Sequence, residues 1–406
     1  MTARQPALRF IFFTLLLDVL GFGLIVPVAP RLVEHLQGGG IAAAAPIVGW
    51  LTSTYAAMVF LFAPFLGSLS DRFGRRPVLL LSVLGSGLDY FAMALVPSVT
   101  WLFVMRALNG LSGASITVAS AYIADVTPPD KRAAGFGIVG AAFGIGFVLG
   151  PLLGGLLGKI DIHLPFYAAG AMALANALYG YFVLPESLPP ELRTRKVRSN
   201  PFAALTTLGD YPLARRLAVA LFFVNLAQFA LHTTWVLYTT YRYGWDERDV
   251  GLSLCAVGIG AALVQGGLAR RVIPLLGERA SLRIGLLIGS LSYTGYALAS
   301  SGWMIYAVIA IQSLGGIAMP ASQALITKSV RPDQQGAVQG SLTGVQSMAN
   351  IFGPLLGAAV FAWSIDPARD MTSPGAVYFM SSLLGAIGLL AAMVALSRTP
   401  AVPARS

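Results

Sequence analysis

Charge is what this chain has least of. Of its 406 residues only 11% are Asp, Glu, Lys or Arg, whereas 56% are hydrophobic and the mean hydropathy is +0.74. A water-facing globular surface is not built from that composition, so the chain reads as an integral membrane protein. Cysteine is nearly absent: Cys255 stands alone inside an apolar run, which excludes a disulfide framework. Three histidines and one cysteine supply no Cys/His cluster for a metal. There is no GxxxxGK(S/T) loop, no HExxH and no GxSxG elbow. ATP-driven transport and hydrolytic chemistry therefore lose their sequence basis, and the chain is not read as an enzyme. Alternating strands of about ten residues are missing too. Runs such as FVLGPLLGGLLG (147–158) exclude a transmembrane barrel.

What is present is a series of apolar stretches of roughly the 20 residues that a helix needs to cross a bilayer. Twelve are predicted, at about 8–30, 46–69, 77–96, 99–124, 134–158, 165–184, 214–241, 248–270, 281–300, 302–327, 336–362 and 375–397. The first follows Arg4 and Arg9, as a signal peptide would. It is long, contains Asp18 and Pro27 and lacks a small-x-small cleavage site, so it reads as a retained span. The expected fold is all-α, with twelve transmembrane helices in two six-helix halves.

The cations orient these spans. With both ends placed in the cytoplasm, 21 of the 27 Lys and Arg fall on that side, only Arg31, Lys159, Arg242, Arg248 and Arg369 on the other, and Arg106 inside a span. That asymmetry is the positive-inside pattern. It explains the net charge of +10 without a nucleic-acid partner. Residues 185–213, with Pro185, Pro189, Pro190 and a basic cluster, read as a cytoplasmic linker between halves 1–184 and 214–406.

The halves repeat each other. Gly150-Pro151-Leu152-Leu153-Gly154 recurs as Gly353-Pro354-Leu355-Leu356-Gly357, an offset of 203 residues that also pairs Pro129-Asp130 with Pro332-Asp333, Gly113 with Gly316 and Gly74 with Gly277. Parallel halves of this kind place a cavity at their interface, as alternating access requires. At the same offset Asp89 meets Ser292, Arg106 meets Ile309 and Asp125 meets Lys328, so intramembrane charge is kept mainly in the first half.

Asp18, Asp89 and Arg106 each lie well inside a predicted span. A charge at such depth costs about 2.5–3.5 kcal/mol on insertion scales, so these groups should face the bundle interior and pair or neutralise. They suit proton binding and release as access alternates; a static Asp–Arg pair that fixes packing is the other reading. The run GIGFVLGPLLGGLLG (144–158) spaces Gly146, Gly150, Gly154 and Gly155 for close helix approach, with Pro151 inviting a bend. Polar candidates for a substrate cavity include Asn109, Ser115, Gln228, His232, Trp235, Gln312, Gln323 and Gln346. Interhelical hydrogen bonding is the simpler account of each.

With these residues in place the chain resembles the major facilitator superfamily, and within it the drug:proton antiporters of the tetracycline-efflux type. GSLSDRFGRRPVLL (67–80) is similar to the signature loop between spans two and three, and LLDVLGFGLIVPVAP (16–30) to that branch's first-span motif. GFVLGPLLGG (146–155) is similar to the antiporter motif, and RALNGLSGA (106–114) with ADVTPP (124–129) to the fourth-span pattern. The resemblance implies that Asp71, Arg72 and Arg75, with Gly67, Gly74 and Asp125, form a latch between the halves. It implies that Asp18 and Asp89 handle protons or cationic substrate, with Arg106 supporting the coupling. Gly67 is expected to allow close helix approach and Gly74 a tight turn. The second-half counterpart, GLARRVIPLLGERA (267–280), keeps glycine and arginines but lacks an acid at the place of Asp71.

The function so implied is export of a drug-like small molecule in exchange for H+, with tetracycline, as its divalent-metal complex, heading the candidates. No resident cofactor is expected: the proton gradient is the energy source, and a divalent metal travels only with the substrate. The partners are a small-molecule substrate, protons and the lipid bilayer. The chain is expected to be a monomer in the bacterial inner membrane, both termini cytoplasmic. Tetracycline exporters also carry an acid in span nine, where LIGSLSYTG (287–295) has Gly289, and a histidine in span eight, which VGIGAALVQ (257–265) lacks. Those departures keep open an exporter of another antibiotic, a sugar or a metabolite. A non-transporting sensor or scaffold is a further alternative, against which the cost of the retained acids argues.

Overall fold

The structure, a computed structural model, describes residues 4–113, 115–127, 132–193, 208–331 and 334–398. Pro129-Asp130 and Pro332-Asp333 of the repeat, and linker residues 194–207, lie outside them, as does the side chain of Ser115. Among the described residues there is no strand. Two compact units form: residues 1–201 with 244–258, and residues 202–243 with 259–406.

In the first unit the chain runs through α1 (Arg4–Ile25), α2 (Ala29–Gln37), α3 (Gly40–Phe73), α4 (Arg75–Ala94), α5 (Val99–Ser112), α6 (Ser115–Val126), α7 (Arg132–Ile160) and α8 (Leu164–Val183). α1 packs on α7 and α8, α4 on α8, and α3 on α5. The first span is bent: Phe10–Ile25 and Ala29–Gln37 meet at 43°. Proline explains the break, since Pro27 cannot continue the α1 ladder and Pro30 suits the first turn of α2. Residues 31–45, between the first two predicted spans, hold most of α2 and the start of α3, which continues through Pro46 and Pro64.

The second unit contains α9 (Pro212–Tyr243), α11 (Ala269–Leu276), α12 (Glu278–Leu298), α13 (Gly302–Gly315), α14 (Ala318–Ser329), α15 (Gln335–Ser364) and α16 (Ala376–Ser397). Helix α10 (Glu247–Leu263) begins in the first unit and ends in the second, passing into α11 through a π-helical turn at Val264–Leu268. α9 packs on α15 and α16, and α12 on α13, α14 and α16. Each unit therefore joins its first and fifth spans, and the break between α5 and α6 after Gly113 recurs between α13 and α14 after Gly316.

Among the described residues ten helical stretches are long and apolar enough to cross a membrane, and the bent first pair makes an eleventh. The predicted span without a counterpart in that set, 281–300, corresponds to α12, which is 21 residues long but carries Glu278, Arg279 and Arg283 in its first turns. The count of twelve is thus not reached on length and apolarity alone.

Close packing in the first unit depends on glycine. A Cβ built on Gly150 would lie 2.8 Å from Gly23 Cα and one on Gly146 2.9 Å from Val19 Cβ. Gly155 meets the Glu247 carbonyl and Gly251, so α7 carries a second bare face towards α10. In the second unit Gly353 and Gly357, the repeat partners of Gly150 and Gly154, pack against Phe229 and Ala230 of α9. Four of the five cations assigned to the cation-poor side have local partners. Arg31 pairs with Glu247 at 2.6 Å and Lys159 with Asp246 at 2.7 Å. Arg242 donates to the Ala299 carbonyl at 3.1 Å, and the Arg369 guanidinium lies 3.8 Å from the Trp363 ring centre. The Lys159 ammonium holds the Asp246 carboxyl below the usual carboxylate range.

One comparison tests the glycine seam. A Cβ on Gly154 would sit 2.2 Å from the Leu24 carbonyl oxygen, whereas one on Gly144 meets nothing within 4 Å. Overpacking of this kind costs about 1–3 kcal/mol, so Gly154→Ala should lower the folded yield on detergent size-exclusion chromatography. Gly144→Ala should match the unsubstituted protein; equal losses from both would refute the seam.

Candidate functional site

The loop that opens α4 is held by a carboxylate the sequence reading did not single out. Gly74 has φ +103°, a conformation that side chains resist, and a Cβ there would collide with the Glu186 carboxylate. Glu186 Oε1 accepts backbone N–H bonds from Arg75, Ser187 and Leu188 at 2.8, 2.9 and 3.1 Å. Its Oε2 accepts from Arg76 N at 3.3 Å. An acid outside the helix thus satisfies the donors at the α4 N-terminus, where the helix dipole favours negative charge. Its two partners on α4, Arg75 and Arg76, lie 111 and 110 residues away in sequence, and a glutamate in a proline-rich linker gives no sign of them.

Arg75, only 9% exposed, binds three groups. Its Nη1 meets Asp71 at 2.5 Å and donates to Ser70 Oγ at 2.7 Å, while Nε donates to Asp125 at 3.1 Å. Ser187 Oγ donates to the same Asp125 oxygen at 3.1 Å, and Tyr122 donates to the Pro185 carbonyl at 2.9 Å. Asp71, Arg75 and Asp125 are therefore brought together within the first unit. Arg72 is exposed, its guanidinium over the neighbouring Phe73 ring. Gly67 corrects an expectation: a Cβ there would lie 3.8 Å from Thr117, ordinary contact, so no close approach requires glycine.

The second unit repeats this ion pair with its signs exchanged. Gly277 (φ +78°) starts α12 as Gly74 starts α4, and Glu278 pairs with Lys328 as Arg75 pairs with Asp125. All four positions obey the 203-residue offset. The acid that seemed lost from the second-half loop is present, at the place of Arg75 rather than of Asp71.

Deeper in the first unit, Asp18 on α1, Asp89 on α4 and Arg106 on α5 converge around two tyrosines. All three act electrostatically on the hydroxyls of Tyr55 and Tyr90. Asn109 adjoins Asp89, but neither Asp89 carboxyl oxygen has a partner at hydrogen-bonding geometry, although the residue is only 7% exposed. A cavity of about 30 Å³ between α2, α3, α5 and α8 reaches Arg106, room enough for water. Tyr55 and Tyr90 escaped the sequence reading because a tyrosine in an apolar run is ordinary. The repeat held a clue: Tyr90 corresponds to Tyr293 and Asn109 to Gln312.

The second unit has the uncharged version of this cluster. Tyr293 donates to Gln228 at 2.9 Å, and the Gln228 amide lies 2.7 Å from His232 Nε2. Tyr296 donates to Gln312 at 2.6 Å, and Trp235 stands edge-on to the Tyr296 ring at 5.1 Å. Gln228, His232, Trp235 and Gln312 are thus gathered through Tyr293 and Tyr296. Gln323 pairs instead with Gln339, and Gln346 is exposed on α15, so these two do not join the group. Among the described residues no cluster of three His, Cys, Asp or Glu suits a metal ion.

Comparison with known proteins gives these arrangements a context. The family model described as Major Facilitator Superfamily matches residues 11–302 and 271–406. The class C tetracycline resistance protein of Escherichia coli is 39% identical over 359 residues, covering 88% of this chain and 90% of that protein. The class D protein of Salmonella ordonez is 35% identical over 402 residues, 98% of each. Among solved structures, a bacterial homolog of the human lysosomal transporter Spinster, inward-facing and occupied, superposes with a TM-score of 0.80. At 18% identity over the whole of both chains, it supports the fold alone.

The two ion pairs differ in exposure, which sets an expected difference. Lys328 is 63% exposed, so losing Glu278 leaves a hydrated cation and costs under about 1 kcal/mol. Losing Asp125 removes a partner from the buried Arg75 and should cost about 1–3 kcal/mol. Asp125→Asn should therefore lower the unfolding temperature in detergent more than Glu278→Gln; the reverse order would contradict this reading.

Proposed function

The chain belongs to the major facilitator superfamily, in its tetracycline-efflux branch, and we propose that it exchanges tetracycline, as a metal complex, for a proton. It is a multi-pass membrane transporter and not an enzyme. The observation that carries the coupling is Asp89: an acid only 7% exposed whose carboxyl oxygens meet no partner at ideal hydrogen-bonding geometry, with Asn109 adjoining it and the Arg106 charge acting on it. An ionised carboxyl in hydrocarbon is costly unless paired. Asp89 and Asp18 accordingly take up and give back the exchanged proton, and the Arg106 charge biases that exchange.

The remaining assignments follow from this reading. Twelve spans are completed by α12, whose early charges sit at the cytoplasmic surface. Both termini are cytoplasmic, the chain works as a monomer in the inner membrane, and residues 185–213 link halves 1–184 and 214–406. Asp71, Arg75 and Asp125, with Arg72 and the Gly67 and Gly74 backbone, act as a conformational latch clipped by Glu186. Gly146, Gly150, Pro151, Gly154 and Gly155 provide the helix surface that slides or locks as access changes. Substrate-facing roles go to Asn109 in the first unit and to Gln228, His232, Trp235 and Gln312 in the second. Gln323 and Gln346, which stand apart from that group, are assigned to the cavity on their sequence positions alone. A second reading, export of another antibiotic, a sugar or a metabolite by the same cycle, is favoured by Gly289. A Cβ there meets nothing within 4 Å, so the place aligned with the family's acid is open and uncharged.

Everted vesicles separate the readings. With an imposed proton gradient and Mg2+, the unsubstituted protein should accumulate tetracycline, and Asp89→Asn should fall to empty-vector level while remaining in the membrane. Undiminished uptake by Asp89→Asn would remove the proton-carrier assignment. Failure of the unsubstituted protein to move tetracycline, with proton flux evoked by another compound, would select the second reading.

A further inference from the structure

An apolar groove of about 830 Å³ runs between α4 and α8 in the first unit, within the size range of small-molecule sites. Its walls are Leu80, Leu81 and Leu84 on one side and Leu174 and Leu178 on the other. Leu81 and Leu178 are 66% and 62% exposed, and exposed leucine on membrane-spanning helices faces acyl chains. The groove ends at the α4 N-terminus, where Arg76, Arg193 and Glu186 line its mouth.

The charge at that mouth is not balanced. Glu186 is committed to four backbone N–H groups, and Arg193 approaches it only to 3.9 Å. Arg76 donates through Nη2 to the Tyr181 carbonyl at 2.6 Å and stacks over the Tyr181 ring, but its buried Nε has no hydrogen-bond partner. One end of the apolar trough thus holds two guanidinium groups and one carboxylate: that of Arg193 donates to the Leu188 carbonyl at 3.4 Å and only approaches Glu186, while that of Arg76 is turned to Tyr181. Guanidinium groups at the membrane surface match a phosphate in geometry and charge, and basic pockets between spans hold anionic headgroups.

The geometry points to a binding site for one anionic phospholipid, with its phosphate on Arg76 and Arg193 and an acyl chain along the leucine groove. Charge complementarity at the mouth and apolar continuity below it choose this occupant over a soluble anion, which would leave the groove empty. They choose it also over a second copy of the chain, since a symmetric copy seated on the same groove would bring its own two arginines against these. This inference rests on membrane residence, not on the transported substrate.

Native mass spectrometry of the delipidated full-length protein tests it. Dioleoyl-phosphatidylglycerol is titrated against dioleoyl-phosphatidylcholine and inorganic phosphate, for the unsubstituted protein and for Arg76→Gln, Arg193→Gln and Leu81→Trp. The expected result is one tightly retained phosphatidylglycerol, weakened about fivefold by each arginine substitution, the ratio that about 1 kcal/mol gives. Leu81→Trp, which fills the groove without changing charge, should weaken it as well, and phosphatidylcholine should bind poorly throughout. Should Arg76→Gln fail to fold, Arg193→Gln and Leu81→Trp carry the comparison. Equal phosphatidylglycerol retention by all variants overturns the site, as does equal binding of the two lipids. Displacement by inorganic phosphate alone would mark a free-anion site, and a dimer lost on Leu81→Trp would mark an interface between copies; either outcome also overturns it.

Discussion

A charged side chain in hydrocarbon costs a few kcal/mol unless it is paired, neutralised or led back to the surface, and that constraint organises this protein. Cations outside the deep cluster are tied down locally, as Arg31 is by Glu247 and Lys159 by Asp246. The Arg75 guanidinium, buried at the head of α4, is surrounded by Asp71, Asp125 and Ser70. Asp18, Asp89 and Arg106 stay inside, gathered around Tyr55 and Tyr90. A scaffold gains nothing by keeping acids there, whereas a proton-coupled cycle needs groups whose charge changes as access changes.

Duplication supplies the frame on which this charge is distributed unequally. Each unit packs its first span against its fifth through glycines at equivalent places, Gly150 and Gly154 in one, Gly353 and Gly357 in the other. Each begins its third span after a glycine with positive φ and ties it to the fourth by an ion pair. Reversing the signs of that pair preserves the attraction and alters the field around it. In the membrane interior the second unit keeps the tyrosine and amide skeleton, Tyr293 and Gln312, and has Ser292 and Ile309 where the first has Asp89 and Arg106. One unit thus keeps charge in the membrane interior, and the other has hydroxyls, amides and aromatic rings in its place.

Much of this was legible in the sequence because intramembrane charge is rare enough to announce itself. Asp18, Asp89 and Arg106 stood out against apolar runs, and the structure brings them to one neighbourhood. Tyr55 and Tyr90 were invisible because a tyrosine among leucines signals nothing until its neighbours are known. Glu186 gives no signal because the α4 groups it holds are the backbone N–H groups of Arg75 and Arg76, far away in sequence. The Glu278–Lys328 pair was hidden because repeat comparison matched residue identities, not complementary charges. Gly67 was overread: spacing suggested close approach, but its neighbour is at ordinary contact distance. The helix α2 was lost because a short segment after a proline bend has too few turns to declare its period, and α12 falls short of a plain span because three charges crowd its first turns.

The most direct test is proton release by the purified protein in weakly buffered detergent solution when magnesium and tetracycline are added together. If the Asp18 and Asp89 cluster carries the exchanged proton, the unsubstituted protein acidifies the medium on binding, and Asp18→Asn/Asp89→Asn, folded by the same chromatographic criterion, does not. Equal acidification by that double variant would contradict the account.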